Sequence, residues 1–360
     1  MKLFSPSHPC ERAICDMRRG DLVSFNTVHH HVIIASGETL DLTRLKELIQ
    51  HFNTQPVLVI PGKRLSFLYP DSSFPETVAI RFTSPDELIP FLTYCVSGLD
   101  SDRPSLPSSY HNQANPSETL ALKLCHYAEL LPLALLWNAP ASVSHTLTSI
   151  TEHDIQHYPQ AIGASLKQVC IAPMTLYQTQ DKPCSIIAYR SQAGGHEHYA
   201  LMIGSPLTQT SPLVRIHSSC YTGDLLDSIK CDCRDQLHSA IEHMSDHDGG
   251  IVVYLMQEGR GIGLINKLRT YALQANGLDT VAANEALGFE DDERQFLPAA
   301  TILKDLGLSS IQLLTNNPRK SAGLESHGIK VSACIPHVMV SHEHNRDYLS
   351  TKKDRLGHTF

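Results

Sequence analysis

The sequence predicts an α/β protein built from two domains. The chain has 360 residues, and because domains usually hold about 100–200 residues, two are expected. In both halves, short apolar runs alternate with segments of helical periodicity, which is typical of α/β layers. Hydrophobic residues make up 42% of the chain, enough for a sizeable core. We expect an N-terminal α/β domain over residues 1–165 and a C-terminal α/β domain over residues 166–360.

Charge and hydropathy argue against two kinds of partner. The formal net charge is -8, whereas proteins that grip nucleic-acid phosphates are usually basic, so no nucleic-acid partner is expected. The longest apolar run, Ile251–Met256, is far shorter than the about 20 residues of a spanning helix, so no membrane partner is expected. The N-terminus lacks an apolar signal core, and the expected location is the cytoplasm.

The N-terminal half shows short strands separated by helical patterns. The predicted strands are Leu22–Phe25, Val32–Ala35 and Val57–Ile60. Helices are expected between the last two strands and after Ser84, a suitable N-cap. Residues 98–116 are rich in Pro, Ser, Asn and Asp, which predicts a linker or a long surface loop. An apolar helix is expected over about Glu118–Trp137, followed by a small α/β segment at 140–165.

The C-terminal half repeats the alternation with clearer boundaries. Predicted strands are Ser185–Arg190, Tyr199–Ile203, Val214–His217, Gly250–Met256, Ile311–Thr315 and Ile329–Ile335. Predicted helices are Gln236–Met244, a helix from Gly263 to Asn276 with Gly277 as its C-cap, and Ala299–Leu306. Two strand–turn–helix steps give two candidate ligand-binding positions at the carboxyl ends of strands.

Three cysteines lie close together in the sequence: Cys220, Cys231 and Cys233. Residues i and i+2 of an extended segment point to one side, so Cys231 and Cys233 are expected to present both sulfurs together, with Cys220 folding back as a third. Structural zinc usually has four protein ligands, whereas three ligands and an open position are typical of catalytic zinc. The spacing leaves three interpretations open: catalytic zinc, structural zinc completed by a distant histidine, or reduced core thiols without metal.

Two polar turns between strands and helices are candidate phosphate sites. In the first, Glu258–Gly263, glycines allow close backbone approach to a ligand, the helix N-terminus favours anions, and Arg260 is a bidentate donor. This turn matches neither the dinucleotide nor the P-loop motif. The second turn, Thr315–Lys320, is polar and basic. Ordinary turn chemistry is the alternative for both, and the loop Asp291–Arg294 is by itself typical of a solvated surface.

Several short motifs lie in a specific order and spacing over roughly residues 168–360. They are Arg215–Asp224, Cys231–Cys233, Gln257–Lys267, Tyr271–Gln274, Gly277–Thr280, Ala283–Asn284, Leu287–Phe289, Asp292–Arg294, Leu314–Lys320, Tyr348–Lys352 and Gly357–His358. Together they resemble GTP cyclohydrolase II, the zinc enzyme that opens the guanine ring at the start of riboflavin biosynthesis. The resemblance implies a mixed sheet flanked by helices in the C-terminal domain.

The resemblance also implies a reaction and its residues. One Zn²⁺ per chain would be held by Cys220, Cys231 and Cys233. Zinc-activated water would attack C8 of guanine, and formate and pyrophosphate would leave to give 2,5-diamino-6-(5-phosphoribosylamino)pyrimidin-4-one. Tyr271 matches the tyrosine beside the reacting base, Asp292 the proton acceptor, and Arg294 the arginine that acts on the α-phosphate.

Further implied positions contact the nucleotide GTP. They are Arg215, Ile216, His217, Ser218, Ser219, Gln236, Glu258, Gly259, Arg260, Thr280, Thr315 and Lys320. The resemblance also implies Mg²⁺ at the triphosphate and a homodimer. The chain departs from the family at Ser219, where a glutamate is usual, at Arg234 in place of a glycine, and at Asp227 in place of a small residue. The first departure bears on rate or on the choice of nucleotide more than on zinc binding.

The N-terminal half faintly resembles dihydroxybutanone phosphate synthase at residues 13–23 and 57–64. That family holds Mg²⁺ with an acidic loop after its first strand, whereas the corresponding segment Asn26–His31 contains no carboxylate. Because Mg²⁺ requires hard oxygen ligands, we expect no synthase activity. The half is interpreted as a degenerate domain that serves stability or dimer contacts.

Three functions are weighed for the whole chain. The first is a zinc GTP cyclohydrolase II, the second a paralogous zinc hydrolase of another nucleotide or pyrimidine, and the third a non-catalytic nucleotide-binding protein. Ser219 and the unusual N-terminal half motivate the second. The retained cysteines, together with Tyr271, Asp292 and Arg294, favour catalysis over binding alone. Because Tyr271 is retained, we expect complete hydrolysis rather than arrest at a formyl intermediate.

Overall fold

The computed structural model describes most of the chain as two compact units. The described residues are 8–26, 31–98, 102–138, 146–179 and 182–339. The first unit comprises Met1–Tyr158, Ile265–Leu278 and Ala282–Asp291, and the second comprises Pro159–Leu264, Asp279–Val281 and Asp292–Phe360. The segments Tyr348–Lys352 and Gly357–His358, and residues 27–30 of the carboxylate-free loop, lie outside the described residues.

The first unit is a sheet packed with helices. Its strands are β1 Val23–Asn26, β2 His31–Ser36, β3 Val57–Pro61, β4 Thr77–Arg81, β5 Ala134–Asn138 and β6 Thr148–Thr151. Its N-terminal helices are α1 Pro9–Arg18, α2 Leu42–Phe52, α3 Gly62–Leu68, α4 Pro85–Ser97 and α5 Pro116–Tyr127. The strand order is β4-β3-β5-β2-β1-β6. Ser84 caps α4 by accepting a hydrogen bond from the Glu87 N–H, as expected.

The predicted helix over Glu118–Trp137 is wrong in its second half. Helix α5 ends at Tyr127, and Glu129 adopts a left-handed conformation with φ 57°. Pro132 lacks a backbone donor and cannot continue a helix, and the apolar residues that follow form the buried strand β5. The described part of the segment 98–116 is a loop within the first unit, tied to β4 by the bridge between Gln113 and Val78.

Helix α6, Glu152–Ala164, leads along the chain into the second unit, where a mixed sheet is flanked by helices as predicted. The strands are β7 Leu166–Met174, β8 Cys184–Ser191, β9 His198–Gly204, β10 Leu213–Ser218, β11 Gly249–Leu255, β12 Ser310–Leu314 and β13 Lys330–Ile335. They lie in the order β13-β12-β10-β11-β9-β8-β7. The first four in this order are parallel, and the remaining pairings are antiparallel.

Five helices are described in the C-terminal half after β10. They are α7 Cys233–Asp246, α8 Leu264–Ala275, α9 Thr280–Leu287, α10 Leu297–Asp305 and α11 Pro318–Ser326. The sheet of the second unit packs against α10 and α11 through an apolar core that includes Val253, Ile302 and Leu324. In the part of the chain that the structure describes, no helix has the length and apolar character needed to cross a membrane.

Candidate active site

The candidate site in the second unit lies at the carboxyl ends of three parallel strands. β10 pairs in parallel with β11 and with β12, so the residues that follow these strands meet at one edge of the sheet, where open α/β sheets bind ligands. These residues are the cysteine segment after β10, the turn Glu258–Gly261 after β11 and the turn after β12 that begins at Thr315.

Three sulfur atoms meet after β10. The Sγ atoms of Cys220, Cys231 and Cys233 all lie within 4.8 Å of one another, and those of Cys220 and Cys231 are 3.7 Å apart. Among the described residues, no fourth Cys, His, Asp or Glu belongs to this group. The predicted extended segment is wrong, because Cys233 is the first residue of α7. The helix start, rather than strand alternation, brings the two sulfurs together.

Gly223 leaves the space in which these sulfurs converge. A Cβ at this position would lie 2.9 Å from Cys231 Sγ and 3.1 Å from Cys220 Sγ. The Gly223 N–H donates to Cys220 Sγ at 3.3 Å. The hydrogen bond between the Cys231 thiol and Cys220 is the largest of the influences that raise the pKa of Cys231 to about 11. A bound divalent cation reverses that tendency, since it favours thiolates. Three soft donors within reach of one point fit zinc.

Asp224 organises the first cysteine. Its carboxylate accepts hydrogen bonds from the Cys220 N–H at 3.0 Å and from the Tyr254 hydroxyl at 2.8 Å. His217 Nε2 lies 3.3 Å from both carboxylate oxygens. Burial lowers the pKa of His217 despite the nearby Asp224. The segment that carries Cys220 is therefore attached to β10 and β11 through one carboxylate, whose side chain is 10% exposed.

Arg215, on strand β10, is buried within a network of hydrogen bonds. It donates to Gln236 Oε1, and its Nη1 lies 2.9 Å from His337 Nδ1. Burial lowers the pKa of Arg215 to about 10, so Arg215 is charged at neutral pH. Burial also lowers the pKa of His337 to about 3. Arg215 and Gln236 are thus brought together, with the guanidinium of Arg215 hydrogen-bonded to the side-chain carbonyl of Gln236.

Further predicted residues of the site lie near the end of β10 and in the turn after β12. Ile216 is buried, and its carbonyl accepts from Lys320 Nζ at 2.8 Å. The hydroxyls of Ser218 and Ser219 are buried without a hydrogen-bond partner among the described residues. The Thr315 hydroxyl accepts from the Asn317 N–H at 3.0 Å in the turn after β12.

The turn after β11 connects the cysteines to the Asp292 loop. Glu258 Oε2 accepts from the Tyr221 N–H at 2.7 Å, and the Arg260 carbonyl accepts from the Glu293 N–H at 3.0 Å. Gly259 and Arg260 both have φ 62°, a left-handed conformation that glycine adopts without strain and arginine only at a cost.

Asp292 and Arg294 form an ion pair in which the side chains are 8% and 10% exposed. Arg294 Nε and Nη2 lie 2.8 and 2.6 Å from the two carboxylate oxygens of Asp292. Burial acts to raise the pKa of Asp292, but the hydrogen bonds and charge of Arg294 outweigh it, and the pKa is lowered. Asp292 is consequently a carboxylate at neutral pH.

Two further predicted residues lie on helices α8 and α9. Tyr271 is on α8 in the first unit, with its ring 5.7 Å from Lys267 Nζ. Thr280 is the first residue of α9 and belongs to the second unit. Residues without a predicted role also take part: Asp224, Tyr254 and His337. Only Asp224 had a signal in the sequence, as an acidic residue four positions after a candidate ligand.

Comparisons with known proteins point to one enzyme family. A family model described as GTP cyclohydrolase II matches residues 171–336. A protein of Azospirillum brasilense named GTP cyclohydrolase-2 is 38% identical over 364 residues, covering 97% of this chain and 93% of the relative. The riboflavin biosynthesis protein RibBA of Bacillus subtilis is 45% identical over 216 residues, covering 59% of this chain and 53% of that protein.

A structural comparison gives a more distant match. The crystal structure of RibBX, a two-domain 3,4-dihydroxy-2-butanone 4-phosphate synthase from A. baumannii, aligns with a TM-score of 0.33 and 15% sequence identity. The alignment covers 92% of this chain and 99% of that chain.

Proposed function

The chain belongs to the GTP cyclohydrolase II family and is a hydrolase, and from this premise we propose that it opens the imidazole ring of GTP. The products are formate, pyrophosphate and the diaminopyrimidine nucleotide, at the first step of riboflavin biosynthesis. The observation that carries the proposal is the convergence of three cysteine sulfurs within 4.8 Å, at a strand edge that also presents two polar turns.

Zinc is the metal that this donor set favours. Cys220, Cys231 and Cys233 would hold it, and the space at Gly223 accommodates their convergence. When bound there, zinc would supply the Lewis acidity that activates water for ring opening near neutral pH.

The chain's own residues bind the nucleotide and handle protons. Asp292 accepts a proton, since the charge of Arg294 keeps its carboxyl ionised at neutral pH. Arg260, Arg294 and Lys320 supply positive charge for the triphosphate, together with Mg²⁺. The resemblance to the family assigns Tyr271 a role beside the reacting base.

Product analysis with cysteine variants tests this proposal. Zinc-loaded protein incubated with GTP and Mg²⁺ is expected to release formate and the diaminopyrimidine, and Cys231→Ser is expected to abolish both. Cys334→Ser, which changes an exposed cysteine on β13, is the matched control and should retain wild-type rates. Formate release that persists in Cys231→Ser, or its absence from wild type, would refute the proposal.

Ser219 favours one alternative substrate class. Its buried, unpartnered hydroxyl replaces the glutamate usual in the family, so the base or sugar can be recognised differently. A panel of nucleoside triphosphates and pyrimidines in which GTP is inert and another base is hydrolysed would support a paralogous zinc hydrolase.

The homodimer and the cytoplasmic location remain predictions.

A further inference from the structure

Two segments from the C-terminal half of the sequence fold as part of the first unit. Residues 265–278 and 282–291 group with the N-terminal half rather than with the seven-stranded sheet. We call these residues the inserted segment. They include α8, which carries Tyr271, and most of α9. The inserted segment ends at Asp291, directly before Asp292.

An ion pair fixes α8 to the N-terminal half. Arg269 Nη2 lies 2.8 Å from Glu38 Oε1, with only 12% of the Glu38 side chain exposed. The second oxygen of Glu38 accepts from the Leu131 N–H at 2.6 Å. Arg269 Nη1 also donates to Asn266 Oδ1 at 2.8 Å, and Asn266 Nδ2 donates to the Glu129 carbonyl at 2.9 Å. Helix α8 is thus hydrogen-bonded to the loops that flank β2 and β5.

A buried arginine fixes α9. Arg64 on α3 is 2% exposed, and its Nη1 donates to the Ala286 carbonyl at 2.8 Å. Its Nε donates to the Cys95 carbonyl at 2.8 Å. Burial lowers the pKa of Arg64 to about 10, so it is charged at neutral pH. A buried charge whose hydrogen bonds are satisfied in one geometry resists displacement of its partners.

The end of the inserted segment is packed tightly. Gly288 has φ 92°, and a Cβ there would lie 2.9 Å from Pro61 Cγ and 3.0 Å from Pro132 Cγ. Phe289 is buried, and its ring meets His126 edge-on with centroids 5.8 Å apart. Close packing of this kind holds the chain to one path just before Asp292.

We propose that the N-terminal half is a positioning platform for the inserted segment, with Glu38, Arg64 and Arg269 as positioning residues for the reaction. This inference rests on the proposed function, because that function assigns roles to Tyr271 and Asp292. The platform gives a role to a half whose segment Asn26–His31 contains no carboxylate, since its contacts fix α8, the helix that carries Tyr271.

A double-mutant cycle on Glu38 and Arg269 tests the platform. The variants are Glu38→Gln, Arg269→Met and the combination, with Asp21→Asn and Arg44→Met as the matched control pair. Asp21 and Arg44 form an ion pair of the same 2.8 Å length in the first unit. The readouts are kcat and KM for formate release, zinc content, Trp137 fluorescence and amide hydrogen exchange over residues 265–291.

Each single variant is expected to lower kcat about tenfold or more, because small misplacement of reacting groups has effects of this size. KM should change less than about threefold, zinc content and Trp137 emission should match wild type, and exchange should accelerate in the inserted segment. Because the residues are in contact, the double variant should be no worse than the worse single variant. The control variants should leave kcat unchanged.

Two results would overturn the platform: an unchanged kcat in Glu38→Gln and Arg269→Met, or an equal loss in the control pair. If wild type releases no formate from GTP, the proposed function fails and the positioning assignment falls with it. The exchange measurement separates these failures, because it shows whether the N-terminal half holds the inserted segment whatever the substrate is.

Discussion

Asp224 connects the first cysteine to the strands behind it. It accepts from the Cys220 backbone and the Tyr254 hydroxyl and lies against His217. A carboxylate that fixes the segment bearing a metal ligand acts on metal affinity without touching the metal, since such outer contacts orient the ligand.

Asp224→Asn is expected to weaken zinc binding about 10- to 100-fold, because the amide cannot accept all of these hydrogen bonds. Zinc affinity is measured by competition with a chelator. Asp227→Asn is the matched control, since Asp227 lies in the same loop and its ion pair with Arg234 is exposed. Equal affinities in wild type and Asp224→Asn would contradict this role.

Individual site residues differ in how far the sequence predicts them. Cysteine spacing predicts that the three sulfurs converge, but not the helix start that brings Cys231 and Cys233 together. The sequence does not predict that Asp292 and Arg294 pair with each other. Two loop residues of opposite charge could equally well both point into solvent. The contact of His337 with Arg215 had no signal, because the two residues are far apart in the sequence.

At the scale of elements, His198 holds the start of the turn after β11. The Met256 N–H donates to His198 Nδ1 at 3.1 Å, so the buried ring is a neutral acceptor. Burial, assisted by the charge of His196, lowers the pKa of His198 to about 4. Protonation removes the acceptor and places a charge in the interior.

This histidine makes the free energy of unfolding depend on pH. Its contribution is complete above the unfolded-state pKa near 6.5 and declines as pH falls toward 4, because the unfolded chain binds the proton first. We expect a loss of about 2 to 3 kcal/mol over this window from His198. His198→Asn, which keeps an acceptor that does not titrate, should flatten that part of the curve in urea unfolding. Parallel curves for the two proteins would contradict the assignment.

Element boundaries were predictable where capping and glycine signals are strong. The C-terminus of α8 and the left-handed Gly277 follow the predicted pattern. The helix expected over Glu118–Trp137 shows the opposite case, because an apolar run fits a buried strand as well as a helix. In this segment, the pairing of β5 with β2 and β3 determines that residues 134–138 form a strand.

At the scale of the whole molecule, the two α/β units agree with the predicted fold class. The course of the chain between them was not predictable, since local periodicity identifies α8 and α9 as helices but says nothing about which sheet they join. The 38% identical relative covers 97% of the chain, so both halves are shared with it.

The N-terminal half is expected to have no dihydroxybutanone phosphate synthase activity. The segment after the first strand contains no carboxylate to hold Mg²⁺. Ribulose 5-phosphate incubated with the full chain and Mg²⁺ should therefore give no dihydroxybutanone phosphate, and a measurable yield would contradict the expectation.

X-ray absorption of the zinc-loaded full chain tests the central claim most directly. Three sulfur ligands at about 2.3 Å and one lighter ligand at about 2.0 Å are expected for an open three-thiolate site. A fourth protein ligand in place of exchangeable solvent, or folded protein that retains no zinc, would contradict the account.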